Sequence, residues 1–282
     1  MEEPSYTSRR SLLNLIIGLG LGGSVLPFWP PLPPAHAEPI AVPEGLSPPE
    51  SAEVVAVIDG DTLALKGGAV LRLAGIEAPK PALAPRDTAL AGLAEAAAAA
   101  LKALVGSRPV VLRQDVGKRD RYGRRLAQAF TSEGTWLQAA LIAKSLARVH
   151  GDGRNRLGLE TLLRIEATAR KSRYGIWGEP TFWVRAADDP KLARFAGSFQ
   201  IVEGRVFAAA TVNRTGFINF GADRHADLTL VLKNPALDLG GPAMMDLGWL
   251  TAKPIRCRGW LDLHDGPSID ISHAEQIELL ET

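Results

Sequence analysis

The feature that most constrains this chain is the run AEVVAVIDGDTLALKGGAVLRLAGI at residues 52–76. Three short aliphatic, β-branched runs are separated by Asp59-Gly60 and Gly67-Gly68, dipeptides that supply the backbone of tight hairpin turns. A three-stranded meander is therefore predicted, and its apolar face needs a cover. The next segment, PRDTALAGLAEAAAAALKALVG, offers one: Leu90, Leu93, Ala97, Leu101 and Leu104 recur three or four apart on one helical face, with Asp87 as N-cap and Gly106 as the stop.

The pattern then continues. PVVLRQDVGKRDRYGRRLAQAFTSEG reads as a strand pair joined by a charged turn, and Thr135 with Gln138 is expected to form a capping box opening a helix through WLQAALIAKSLARVH. A third helix is expected through GLETLLRIEATARKSRYG, closed by GIWG. Beyond residue 199 the order repeats as strands at 199–210, 215–220 and 227–233, a short helix at 242–250, a strand at 254–263, an Asp265-Gly266 turn and a strand at 268–272. Three strands, a helix and two strands is the order of the five-stranded OB barrel.

The fold class expected is thus mainly β with α: an OB-type five-stranded barrel with three helices, followed by a second OB-like β-barrel. A hydrophobic content of 46% with 22% charged residues excludes a disordered or fibrous chain. Residues 1–37, with Arg9-Arg10, an apolar run at 12–26 and a small-x-small site at Ala35-His36-Ala37, read as a cleavable export signal of twin-arginine type. The apolar run is shorter than the roughly 20 residues a membrane span needs, so no stable span is expected after cleavage. The mature protein would start at Glu38, in the periplasm or outside the cell. A Pro-rich linker is expected at 38–51, the first domain at 52–183, a linker at 184–198 and the second domain at 199–282. One cysteine, Cys257, allows no intrachain disulfide and reads as a core residue.

A net charge of +1 hides an asymmetry. Residues 199–282 hold 7 Arg and Lys against 11 Asp and Glu, which leaves +5 for residues 38–198. The basic half is the one suited to phosphates.

Five blocks in order, VIDGDTLAL, RLAGIEAPK, DRYGRRLA, WLQAALIAKSLARV and GIWG, resemble the staphylococcal nuclease (thermonuclease) family over about residues 52–180. The resemblance implies an OB barrel with three helices and Ca2+-dependent hydrolysis of phosphodiesters in DNA or RNA. By the same resemblance Asp61 matches the first metal-binding aspartate, Glu77 takes the place of the second, and Ala78 would offer its carbonyl to the metal. Arg72 and Arg124 match the two arginines that grip the scissile phosphate. Tyr122 lies in the same loop, flanked by Arg121 and Arg125 as further nucleic-acid contacts.

One position departs: Lys80 stands where the family has its general-base glutamate. Two carboxylates and a carbonyl suit calcium, and two guanidinium groups suit a phosphoryl group gaining charge. An ammonium, however, cannot take a proton from water. Glu77 or Asp87 could serve as base instead, giving weakened hydrolysis, or the chain could bind nucleic acid or nucleotides without cutting them. Single strands are the expected partner, with Tyr122 as the stacking side chain and Trp136 and Trp177 as core. The acidic C-terminal half is expected to pack on the first barrel or to meet a protein partner, including as an envelope interaction module.

Overall fold

The computed structural model describes residues 41–80, 88–235, 239 and 246–281. The expected export signal, Asp87 and residues 242–245 of the expected short helix lie outside the described residues.

The N-terminal half contains β1 (Glu50–Ala52), β2 (Val54–Asp59), β3 (Thr62–Leu65), β4 (Val70–Leu73) and β5 (Ile76–Glu77). α1 (Thr88–Val105), β6 (Val110–Arg113), β7 (Arg125–Phe130), α2 (Leu137–Ala143), β8 (Arg148–Val149) and α3 (Leu159–Lys171) follow. Hydrogen bonding runs in the order β1-β6-β7-β4-β3-β2. Since β1 and β2 are one strand interrupted at Glu53, its first part pairs with β6 and its second with β3, which closes the sheet on itself. β4 and β7 run parallel and every other neighbour pair antiparallel, the arrangement of a five-stranded OB barrel.

The second half repeats that topology. β9 (Arg185–Ala186), β10 (Ser198–Arg205), β11 (Ala208–Val212), β12 (Thr215–Asn219), β13 (Thr229–Leu232), β14 (Pro254–Leu263), β15 (Pro267–Ile271) and β16 (Ile277–Leu279) pair in the order β11-β12-β13-β15-β14-β10-β9, with β16 on β14. The single strand expected at 199–210 bends at Val206-Phe207, so that β10 pairs with β14 while β11 pairs with β12. Again one strand serves both ends of the closure, and the parallel pair is β13 with β15. The described part of the expected helix at 242–250 is a single 3-10 turn at Gly248–Leu250.

Three α-helices stand among the described residues, and none is long and apolar enough to cross a membrane. α1 buries Leu93, Ala97 and Leu101 as the spacing predicts. α2 corrects an expectation. It begins after Trp136 with no side-chain cap, and Gln138 is fully buried, accepting from the Ala129 N–H (3.2 Å) and donating to the Ala127 carbonyl (2.9 Å). The barrel's need to satisfy backbone groups at the end of β7 outweighs a capping box.

The described residues form one compact unit. A small apolar cluster of Leu93, Ala169, Ile176, Trp177, Phe182, Phe199 and Ile201 joins the helices of the first barrel to β10 of the second. Beside it Arg258, only 2% exposed, reaches from β14 to Glu166 of α3 (2.9 Å) and Glu278 of β16 (2.5 Å), and donates to the Val149 carbonyl (3.3 Å). Cys257 is buried in the second core, where burial pushes its thiol up to about 12.

Candidate nucleic-acid site

The turn between β2 and β3 builds the site. A side chain at Gly60 would meet Cβ of Ala97 at 2.6 Å and Cβ of Ala78 at 2.7 Å, so only glycine lets this turn press between α1 and the segment after β5. That approach brings Asp59 and Asp61 to Ala78 and Lys80. The Asp59 carboxylate accepts from the Asp61 N–H (3.0 Å), the side-chain turn that aspartate favours.

Asp61 is wholly buried and its oxygens are occupied. Oδ1 accepts from Thr62 Oγ1 (3.0 Å) and from the Lys80 ammonium; Oδ2 accepts from the Ala78 N–H (2.7 Å) and lies 3.3 Å from Nη1 of Arg72. Arg72 arrives because β4 pairs with β3 in a register that sets it opposite Thr62. Lys80 also bonds Asp59 Oδ2 at 2.8 Å, so one ammonium bridges two carboxylates.

Burial raises the Asp61 pKa against the pull of Arg72 and Lys80. At Asp59 burial acts in the same direction, but the Lys80 hydrogen bond and the Asp61 N–H outweigh it and hold the carboxyl below its usual range.

Glu77 faces elsewhere. β5 pairs with β8, setting Glu77 opposite Arg148, whose guanidinium donates twice to Oε2 (2.8 and 3.1 Å) and once to the Phe199 carbonyl (3.0 Å). Against the opposing effect of burial, the charge and hydrogen bonds of Arg148, with the charge of Arg72, hold the Glu77 pKa below the usual carboxylate range. His150 sits beside this pair, and burial lowers its imidazole to about 4, leaving it neutral at neutral pH.

Arg124 is held by Asp120 (2.6 Å) and stands 5.4 Å from the Tyr122 ring centroid, while Arg121 stands 4.8 Å from the same ring. Among the described residues no hydrogen bond or ion pair joins Arg124 to Asp61, Arg72 or Lys80. Tyr122 is 67% exposed. Arg125, expected as a phosphate contact, is instead a two-pronged partner of Glu50 (2.9 and 2.6 Å), pinning β7 to β1. Trp136 and Trp177 are buried.

Of the expected residues, Asp61, Arg72, Lys80 and the Ala78 backbone therefore converge, Glu77 stands next to them on another partner, and the Tyr122 loop forms a separate exposed cluster. Three participants escaped the sequence reading: Asp59 as a partner of Lys80, Arg148 as the partner of Glu77, and His150. The β5–β8 register that joins the last two to the site is not written in local periodicity.

The family model for staphylococcal nuclease homologues matches residues 70–179. Protein ParB of Escherichia coli is 32% identical over 142 residues, spanning 45% of this chain and 72% of that protein. The chain belongs to the staphylococcal nuclease homologue family.

Against the calcium that membership of the staphylococcal nuclease family implies, the donor set present here does not fit. Asp59 and Asp61 are bridged by a cation already in the chain, Arg72 adds a second positive charge, and Glu77 is neutralised by Arg148. The Ala78 N–H occupies Asp61 Oδ2. Among the described residues no three His, Cys, Asp or Glu side chains form a group able to hold a metal. A divalent ion would have to expel Lys80 from both carboxylates before meeting the oxygen ligands it requires.

Proposed function

We propose that this protein binds the sugar-phosphate chain of nucleic acid at the Arg72–Lys80 pocket and holds it without metal-dependent cleavage. The observation that carries the reading is the Lys80 ammonium bridging Asp59 and Asp61. Lysine has three donors and arginine five; among the described residues Lys80 directs two at the carboxylates, and the Arg72 hydrogen bond to the Leu73 carbonyl and its ion pair with Asp61 both use Nη1. The remaining N–H groups suit phosphate oxygens, with the basic loop around Arg121 adding longer-range attraction.

Among the described residues hydrolysis lacks a proton acceptor. General-base assistance contributes about 10²- to 10⁴-fold, yet Asp61 is sealed from water, Asp59 and Glu77 are paired acids of lowered basicity, and Lys80 stands at the base position. Single-stranded partners are favoured by exposed Tyr122, whose ring a splayed base can stack upon. Arg9-Arg10 and the Ala35-His36-Ala37 site support action after export; a mature chain whose intact mass does not begin at Glu38 would refute that part.

The test is oligonucleotide binding and cleavage with calcium and with EDTA. Equal binding in both buffers and no cleavage are expected. Lys80→Ala, which frees Asp59 and Asp61, should lose binding by about tenfold and acquire a melting temperature that calcium raises. Cleavage by the unmodified protein that EDTA abolishes, or no binding at all, overturns the proposal.

A further inference from the structure

The second barrel brings a row of rings to the Arg148–Glu77 pair. Phe199 on β10 lies opposite Trp260 on β14, their centroids 6.5 Å apart at 82°. His150, next after β8, meets Phe199 edge-on at 4.7 Å and Trp260 at 6.4 Å. The other side of Phe199 leads back to the site, since the Arg148 guanidinium that holds Glu77 stands 4.5 Å from its ring centroid. Phe199 is buried, whereas Trp260 is 53% exposed. Two edge-on ring contacts thus fix the indole plane while half of the residue stays open to solvent.

A single exposed tryptophan on a barrel's outer face is ordinary. This one is linked through His150 and Phe199 to the Arg148–Glu77 pair, and the charge of Arg72 acts on both Glu77 and His150. A fixed aromatic plane beside cationic donors is the arrangement that takes an unpaired nucleobase while its backbone is held by charge. A base inside a duplex is already stacked and paired and cannot reach such a plane without being extruded.

We propose that Trp260 is a second base-stacking platform in addition to Tyr122, taking a nucleobase of a single strand whose phosphate lies at Arg72 and Lys80. The second barrel is then part of the binding site and not only a brace for the first. This inference rests on the phosphate-binding reading above.

The full chain, with Trp260→Ala and Trp260→Tyr variants, is titrated into a fluorescein-labelled oligothymidylate and into an abasic deoxyribose-phosphate oligomer of the same length, following anisotropy. Trp260→Ala should weaken thymidylate binding roughly five- to a hundredfold, leave abasic binding unchanged, and be largely rescued by Trp260→Tyr. Should the alanine variant fail to melt cooperatively, Trp260→Leu, which removes the ring without adding charge, replaces it. Thymidylate affinity unchanged by loss of the ring, or equal losses on both oligomers, sinks the stacking role alone. An unmodified protein that binds neither oligomer sinks the phosphate reading and the platform with it.

Discussion

The two barrels share one topology and differ at one turn. In the first, the turn between β2 and β3 is Asp59-Gly60-Asp61, and the strand opposite supplies Arg72. In the second, the corresponding turn between β11 and β12 is Asn213-Arg214, both residues with positive φ (49° and 69°), and Leu232 faces Gly216. A side chain at Gly216 would strike Leu247 and Pro235, an apolar plug. The same closure therefore produces a cluster of charges in one barrel and an apolar end in the other. Topology sets where a site can form, and the turn residues decide whether it does.

Their ion clusters differ in the same way. Lys80 keeps 23% of its side chain exposed between Asp59 and Asp61, whereas Arg258 and Glu166, at 2% and 0%, are enclosed at the junction of the barrels. Enclosed charges brace; accessible ones can meet a ligand. The largest expected effect would break this distinction if it failed. Glu166→Ala removes one of the two carboxylates paired with Arg258 and an acceptor of Arg170 and the Val149 N–H, and should cost about 3 kcal/mol in urea unfolding, because a buried cation is left half-paired. Oligonucleotide affinity of the protein that remains folded should not change.

A smaller effect sharpens the role of the second barrel as brace. Although burial opposes it, hydrogen bonds from His273 and Arg156 hold Glu275 at about 2. Its contribution is fully present above the unfolded value of 4.5 and is lost as pH falls from about 4.5 through 2, up to about 3 kcal/mol. Glu275→Gln should flatten the acid limb of stability against pH, followed by thermal melts. An unaltered slope would show that the Arg156–Glu275 pair does not tie the barrels.

The smallest effect concerns the exposed loop. Arg121→Gln should change stability by less than about 0.5 kcal/mol. The slope of log affinity against log salt for single-stranded DNA should become shallower by about 0.7 if Arg121 neutralises one phosphate. An identical slope would assign Arg121 to holding Tyr122 in place.

Much of this organisation was legible beforehand. Strand alternation, the Gly67-Gly68 turn and the spacing of Leu93, Ala97 and Leu101 announced a barrel and its covering helix, since each reports a local backbone period. Glutamine at 138 misled, because the same residue that completes a capping box can satisfy a buried strand end. Arg125 misled likewise: in a basic run it resembles its neighbours, and only the β1–β7 geometry gives it Glu50.

The sequence alone determined the repeated barrel order, the membership of the family and the exchange of a base for an ammonium at position 80, because these depend on residue identity and short-range periodicity. What that ammonium does was decided by tertiary structure. Asp59, Asp61 and Lys80 meet through the close packing permitted by Gly60, and Glu77 is taken by Arg148 through strand register. Ion pairing acts over a few ångströms in space, and separations in the chain carry no record of which charges the fold will bring within that reach.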